Sequence, residues 1–323
     1  MVVTDIHGNL PDWMLIRDKF LQHHKQGEAD RLVLCGDLLH TTEISQVNDR
    51  SYELLQDVMR LQLEFGRDVV IMLSGNHEMP HIYDVMFSKG TPYAYNAHLE
   101  WEIKRHDDAG TGQFPRAVIN RFLRELPYYI VTKAGVTLSH AGAPPYSHDL
   151  TWLEIIADFD HDSLLQLGQD KLKHYDLKKL HNNRDYREKV YANLALVSLD
   201  DPRFTNLLRG EIIKEQEMLF RLLWNTLFLS NERDGYGRQQ YLSDVEAFLK
   251  TVSTVTKFPQ RVLTAGHVVV DDGFKVMSPQ KLRFASAAHA NPKHSGVYLL
   301  LDCAKPVQDA AQLVSKLRRT WGN

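Results

Sequence analysis

Asp5 and His7 stand two positions apart, just after a short apolar run and just before Gly8 and Asn9. In an extended segment residues i and i+2 point to the same side, so both side chains can converge on one point past a strand end. Gly8 lets the backbone turn there without a Cβ penalty. The pattern recurs downstream. Arg31–Leu34 ends in Cys35-Gly36-Asp37, and Val69–Leu73 in Ser74-Gly75-Asn76-His77-Glu78. Val136–Leu138 leads into Ser139-His140-Ala141-Gly142, and Arg261–Thr264 into Ala265-Gly266-His267. Asp5, His7, Asp37, Asn76, His140 and His267 offer carboxylates, imidazoles and an amide carbonyl. That mixed set suits Mn, Fe or Zn better than Mg or Ca, which favour oxygen alone. Two such ions, divalent or trivalent and about 3.5–4 Å apart, need a bridging carboxylate. Asp37, alone after its strand, is the natural bridge. Asp5 and His7 would hold one metal, and Asn76, His140 and His267 the other.

Such a pair lowers the pKa of a shared water and clamps phosphoryl oxygens during an in-line displacement. His77 lies beside Asn76 and outside the ligand set. An imidazole titrating near neutrality can protonate a leaving alkoxide, so His77 is the candidate general acid. Asp37 and His77 are thus the candidate catalytic residues. Singly, each residue has an ordinary explanation as a loop, surface or capping group. Five strand-end loops in order, each supplying a metal-competent side chain, argue jointly for a site outside the carboxyl ends of strands.

The elements that must position these loops read as α/β. Leu10-Pro11-Asp12 starts a helix that runs through Trp13, Ile16 and Phe20 to Lys25, with Gly27 beyond its end. Strand Arg31–Leu34 follows, most economically parallel to the first. Ser51–Phe65 is a second helix, ending at Gly66. Tyr128–Val131 and Val136–Ser139 form a hairpin about Lys133-Ala134-Gly135. Leu242–Val255 is a helix. Val262–Thr264, Phe274–Met277, Leu282–Ala285 and Val297–Leu301 suggest a second, largely antiparallel sheet, closed by an amphipathic helix over Val307–Trp321. No repeat or low-complexity linker interrupts residues 1–323, which favours one domain with helical insertions at about 79–126 and 150–228.

In the first insertion Tyr83, Phe87, Tyr93, Tyr95 and Trp101 either pack on one another or wall a substrate cleft. In the second, Lys171, Lys173, Lys178, Lys179, Arg184 and Arg187 read as a solvated helix face or a phosphate-attracting rim. Gly235-Tyr236-Gly237-Arg238 reads as a flexible loop.

Composition fits an ordinary soluble globular protein, with 43% hydrophobic and 24% charged residues. The formal net charge of −3 gives no reason to expect a nucleic acid or a membrane as partner. Oligomeric state is silent. Cys35 and Cys303 are the only cysteines, so no disulfide framework is implied, and a reducing, cytoplasmic location is expected. No spanning stretch or signal peptide is visible. Only Val2–Thr4 precede the first motif, against about 5–6 residues in a typical strand, which suggests a start upstream.

Asp5-Ile6-His7-Gly8, Gly36-Asp37, Gly75-Asn76-His77-Glu78, Ser139-His140-Ala141-Gly142 and Gly266-His267 resemble the calcineurin-like metallophosphoesterase superfamily. The likeness is closest to its phosphoprotein phosphatase branch, which includes serine/threonine phosphatases and dinucleoside tetraphosphate hydrolases. Ala265–Phe274, and Leu222-Leu223-Trp224 followed by the glycine loop with Arg238, strengthen that branch. The resemblance covers Asp5 to about Asp302, with the helical insertions unmatched. It implies a central β-sandwich of two mixed sheets flanked by helices, a two-metal centre, and phosphomonoester hydrolysis by a hydroxide bridging the metals, without a covalent intermediate. The substrate would be phosphoserine or phosphothreonine in a protein, or a small phosphate ester.

The departures are specific. Thr4 stands where the first motif usually has Gly. Gly36-Asp37-Leu38-Leu39-His40-Thr41-Thr42 places His40 where an acid supports the general-acid histidine, and Thr41 where an arginine clamps phosphate. A histidine cannot orient His77 as a carboxylate would, though His40 could share the acid's role or hold His77 by a hydrogen bond. Losing a bidentate arginine weakens binding of a phosphate dianion. Arg238 matches the family's other phosphate-binding arginine, which makes Arg238 and His40 the candidate substrate-binding residues. Ser286-Ala287-Ala288-His289-Ala290 stands where a late tyrosine motif would lie. Two alternatives stay open: a nucleotide or dinucleoside polyphosphate hydrolase, and a metal-holding scaffold or regulatory binding protein with vestigial activity.

Overall fold

Val2–Val3 (β1), Leu32–Leu34 (β2) and Val70–Met72 (β3) are apolar throughout, the composition of strands covered on both faces. The computed structural model of the chain describes residues 1–41, 48–86, 88, 94–143, 153, 156, 159–184, 200, 203–233 and 237–322. Thr42, Phe87, Tyr93, Arg187, Gly235 and Tyr236 lie outside the described residues. β1 pairs with β2, and β2 with β3, all in parallel. Side chains alternate between two covers. Val3, Leu32 and Leu34 pack with the helices, while Val2 and Val33 face the second sheet.

The helix Leu10–Lys25 (α1) begins where Asn9 Oδ1 accepts the Asp12 N–H at 3.1 Å, with Pro11 in the first turn. It buries Trp13, Ile16 and Phe20. Ser51–Phe65 (α2) buries Leu54, Leu55, Val58 and Leu61 and stops at Gly66, whose φ of 103° suits glycine.

The second sheet has the order β4-β5-β6-β9-β8, built from Tyr129–Val131 (β4), Val136–Ser139 (β5), Val262–Ala265 (β6), Phe274–Ser278 (β8) and Lys281–Phe284 (β9). Val270–Asp271 (β7) pairs separately with Ala290–Asn291 (β10). The sheet is mixed rather than largely antiparallel. β5 with β6 and β6 with β9 are parallel, and the β4–β5 and β8–β9 hairpins are antiparallel. Val297–Leu299 (β11) belongs to the first sheet, antiparallel to β1, and not to the second.

The expected closing helix over Val307–Trp321 is also corrected. Ala311–Val314 is a single helical turn, followed by Leu317–Arg319 (β12), which completes the first sheet against β11. Its apolar spacing fits a helix, but β11 offers an open edge, and pairing with it satisfies the backbone.

Two five-stranded mixed sheets therefore face one another. Val2, Val33 and Leu73 share one apolar cluster with Val136, Leu138, Val262, Leu282 and Phe284. Each such buried side chain contributes about 1.5–3 kcal/mol.

The described parts of both insertions are helical: Met79–Ile82 (α3), Ala97–Ala109 (α4), Arg116–Arg124 (α5), His161–Leu172 (α6), Leu177–His181 (α7), Phe204–Gln216 (α8) and Met218–Leu222 (α9). Leu223–Leu229 continues as a π-helix. Arg238–Thr256 (α10) contains the helix expected over Leu242–Val255. Tyr83 and Tyr95 are buried, whereas Trp101 is 56% exposed. Lys171 pairs with Glu217, and Lys173, Lys178, Lys179 and Arg184 are exposed, as a solvated face requires. Among the described residues no helix is long and apolar enough to cross a membrane.

Candidate metal centre

The strand-end loops are held in an uncommon backbone conformation. Asp5, His7, Asp37, His40 and His267 have φ values of 51°, 52°, 51°, 62° and 72°. Non-glycine residues in this region are costly and gather where side chains must be aimed. The loops also approach closely. A Cβ at Gly75 would lie 2.5 Å from Asp37 N and Oδ1, and one at Gly266 would overlap Asp5 Oδ2. Glu78, fully buried, fastens two loops by accepting from Gly75 N at 2.8 Å, Asp37 N at 3.1 Å, Leu38 N at 3.0 Å and Leu39 N at 3.3 Å. Burial and the neighbouring Asp37 charge push its carboxyl up to about 7 against those donors.

His140 shows how the cluster is arranged. Its Nδ1 donates to the Cys35 carbonyl at 3.0 Å. A carbonyl only accepts, so the proton sits on Nδ1, and burial, which lowers the His140 pKa, keeps the ring neutral. Nε2 then carries a lone pair. Around it stand Asn76 Oδ1 at 3.0 Å, His267 Nδ1 at 3.1 Å and Asp37 Oδ2 at 3.4 Å. Asn76 Oδ1 and Asp37 Oδ2 only accept, and two acceptors turned to a lone pair are unfavourable unless a cation lies among them. Bonds of about 2.1 Å at tetrahedral or octahedral angles put neighbouring donor atoms roughly 3.0–3.4 Å apart, matching these separations. The donors fit a divalent metal.

His7 is prepared in the same way. Its Nδ1 donates to the His40 carbonyl at 3.0 Å, and Nε2 faces Asp37 Oδ2 at 3.7 Å. Asp5 takes the His267 N–H on both oxygens, at 2.9 and 3.0 Å. Burial pushes the Asp5 carboxyl up, but His289, His140 and His7 outweigh it and hold it far below the usual carboxylate range. His289 Nδ1 lies 3.2 Å from Asp5 Oδ1, and its ring is 4.7 Å from that of His7. Ligand-competent atoms thus gather in overlapping groups: Asp5, His7 and His289; His7, Asp37 and His77; Asp37, His140 and His267.

All six residues expected to hold metal, together with His77, are brought into this cluster. His77 N donates to Asp37 Oδ1 at 3.0 Å, and its ring meets His7 edge-on at 4.7 Å. His40 was expected to bind substrate or to support His77. It is fully buried beside His77, 5.3 Å between ring centroids, with Nε2 2.6 Å from His81 Nε2. Arg238 is not brought in: its guanidinium donates to the Met277 carbonyl at 2.8 Å, on β8.

Arg283 belongs to none of the strand-end motifs. This side chain is buried on β9, pairs with Glu232 at 2.5 Å, and donates to the carbonyls of Ala141 at 2.9 Å and Gly266. It therefore ties the His140 loop to the His267 loop. The available signal was alternation in Lys281-Leu282-Arg283-Phe284, which puts both cations on one face of a buried strand.

A cavity of about 730 Å³ adjoins the cluster without being lined by it. Met79, next after Glu78, and Leu229 form one side, near Leu227, whose carbonyl takes the Ala141 N–H at 3.3 Å. Tyr83, Lys214, Arg221 and Trp224 line the remainder, so Tyr83 both packs in the core and walls this cleft.

A family model described as calcineurin-like phosphoesterase matches residues 1–190. No curated protein matches significantly. Among solved structures, the chain is similar to a cold-active protein tyrosine phosphatase, with 16% identity, 92% of this chain and 72% of the other covered, and a TM-score of 0.48. It is also similar to a protein serine/threonine phosphatase from Saccharomyces cerevisiae, with 12% identity, 98% and 77% covered, and a TM-score of 0.46.

Proposed function

The chain belongs to the calcineurin-like phosphoesterase family, a family of metal-dependent phosphoric ester hydrolases, and from that premise we propose that it is a phosphomonoesterase with a two-metal centre. Asp5 and His7, joined by His289, would hold one ion. Asn76, His140 and His267 would hold the other, and Asp37 would bridge them. Bound there, metals would supply an activated water and positive charge against the phosphoryl oxygens. His77 stands ready to protonate the leaving oxygen. Asp37 Oδ1 fixes the His77 backbone, and Glu78 fixes the loops that carry Asp37 and Asn76. The observation that carries this reading is the lone-pair face of His140 Nε2, ringed by Asn76, His267 and Asp37.

The substrate is a phosphoprotein or a small phosphate ester. A nucleotide is the second reading, favoured by the cavity, where Trp224 stacks on Phe220 at 5.9 Å beside Lys214 and Arg221. Turnover of metal-loaded protein on an aryl phosphate, its diester, a phosphopeptide and a dinucleoside tetraphosphate tests both. The monoester is expected to exceed the diester by at least about 10-fold. His77→Ala should retain metal and lose about 10²–10⁴ in rate on the monoester. Preference for the diester, or full activity in His77→Ala, contradicts the proposal.

A further inference from the structure

His40 takes the place of the carboxylate that the sequence resemblance puts beside His77, yet a carboxylate stands further along. His81 Nδ1 is bonded to Glu100 Oε1, and Arg116 Nη1 holds the other oxygen, Oε2, at 2.5 Å. A carboxylate only accepts, so His81 carries a proton on Nδ1, and in the neutral ring Nε2 presents a lone pair. The 2.6 Å contact between His81 Nε2 and His40 Nε2 then requires His40 to donate, which leaves His40 Nδ1 as the acceptor. That ring packs against His77. His40, His77 and His81 are 0%, 1% and 4% exposed, so bulk water does not compete for these bonds. The parts come from separate elements: His40 from the loop after β2, His81 from α3 and Glu100 from α4.

We propose that Glu100 is a remote positioning carboxylate for His77, acting through His81 and His40. The chain of bonds fixes His40 in the tautomer whose Nδ1 can accept from His77, as a carboxylate at position 40 would. The helical insertion thus completes the active site from outside the strand-end loops. This inference rests on the reading of His77 as the acid for the leaving group.

The test compares Glu100→Gln with the parent in the metal-loaded full chain on two substrates. Phenyl phosphate has a poor leaving group and needs an acid; 2,4-dinitrophenyl phosphate has a good one. The loss in kcat is expected to be about 10–100-fold on phenyl phosphate, and at least about 10-fold greater than on 2,4-dinitrophenyl phosphate. In a His40→Asp background, where a local carboxylate replaces the relay, Glu100→Gln should add little further loss. Equal loss on both substrates, or none, overturns the relay. If the parent hydrolyses neither ester, the phosphomonoesterase reading fails by itself. ¹⁵N spectra of the zinc-loaded protein then decide: His81 protonated on Nδ1 and His40 on Nε2, both perturbed by Glu100→Gln, supports the relay. The opposite tautomers, or spectra indifferent to Glu100→Gln, refute it.

Discussion

Arg283 and Glu232 form an ion pair in the interior, with side chains 1% and 7% exposed, and Arg283 uses its remaining donors on the loops that carry His140 and His267. Removing one partner of a buried pair leaves an uncompensated charge. Glu232→Gln is therefore expected to cost about 3–5 kcal/mol in urea unfolding and to weaken metal binding. Burial pushes the Glu232 carboxyl up, but Arg283 outweighs it and holds the group down at about 2. Because its folded pKa is depressed, its contribution, on the order of 3 kcal/mol, is present above pH about 4.5 and is lost as pH falls toward 2. Glu232→Gln should lack that acid-labile component. An unchanged acid profile would contradict the pairing.

His161 links two buried tyrosines, with Nδ1 2.9 Å from the Tyr83 hydroxyl and Nε2 2.9 Å from that of Tyr128. A neutral ring serves both, accepting one hydroxyl proton and donating to the other oxygen. Burial first, and then the Arg124 charge, lower its pKa to about 4. The unfolded chain binds a proton more readily below pH about 6.5, so stability falls as pH drops from there toward 4. Between pH 7 and pH 5 the loss attributable to His161 should be about 2 kcal/mol. His161→Gln should remove that pH dependence. Urea unfolding at the two pH values measures it, and equal slopes in both proteins would refute the assignment.

Gly266 leaves room for Asp5. A Cβ there would overlap the carboxylate, which is fully buried and has little space to retreat. Gly266→Ala is expected to lower metal affinity by about 10–100-fold. Calorimetric titration with Mn or Zn reads this directly; unchanged affinity would show that Asp5 is not a ligand.

His289 stands beside Asp5 and His7. Its replacement by Ala should weaken one of two bound ions by roughly 10-fold and leave the ion at His140 in place. Loss of both ions, or of neither, would contradict its place at the first site.

The strand-end loops were legible because their chemistry is written locally: an apolar run, a small residue, then a donor. Asp5, His7, Asp37, Asn76, His140 and His267 could all be read that way, and the structure gathers them. His81 and Glu100 could not, since helices α3 and α4 bring them to His40 through packing that no short motif encodes. Arg283 was hidden for another reason: a buried strand is expected to be apolar, and its two cations stand on the face turned away from the sandwich. Strand pairing was equally nonlocal. β11 reads as an apolar run like its neighbours, and only the open edge of β1 decides which sheet it joins. The segment Val307–Trp321 carries helical spacing and still yields β12, because the backbone bonds offered by β11 decide the conformation.

The most direct measurement is metal content by mass spectrometry on the purified protein, with aryl phosphate turnover before and after Mn addition. Two ions per chain with turnover are expected, and no more than one ion in His140→Ala, without turnover. Two ions without turnover would leave a metal-holding scaffold and contradict the enzymatic reading. No metal retained or taken up would contradict the central claim that these strand-end loops converge on a metal centre.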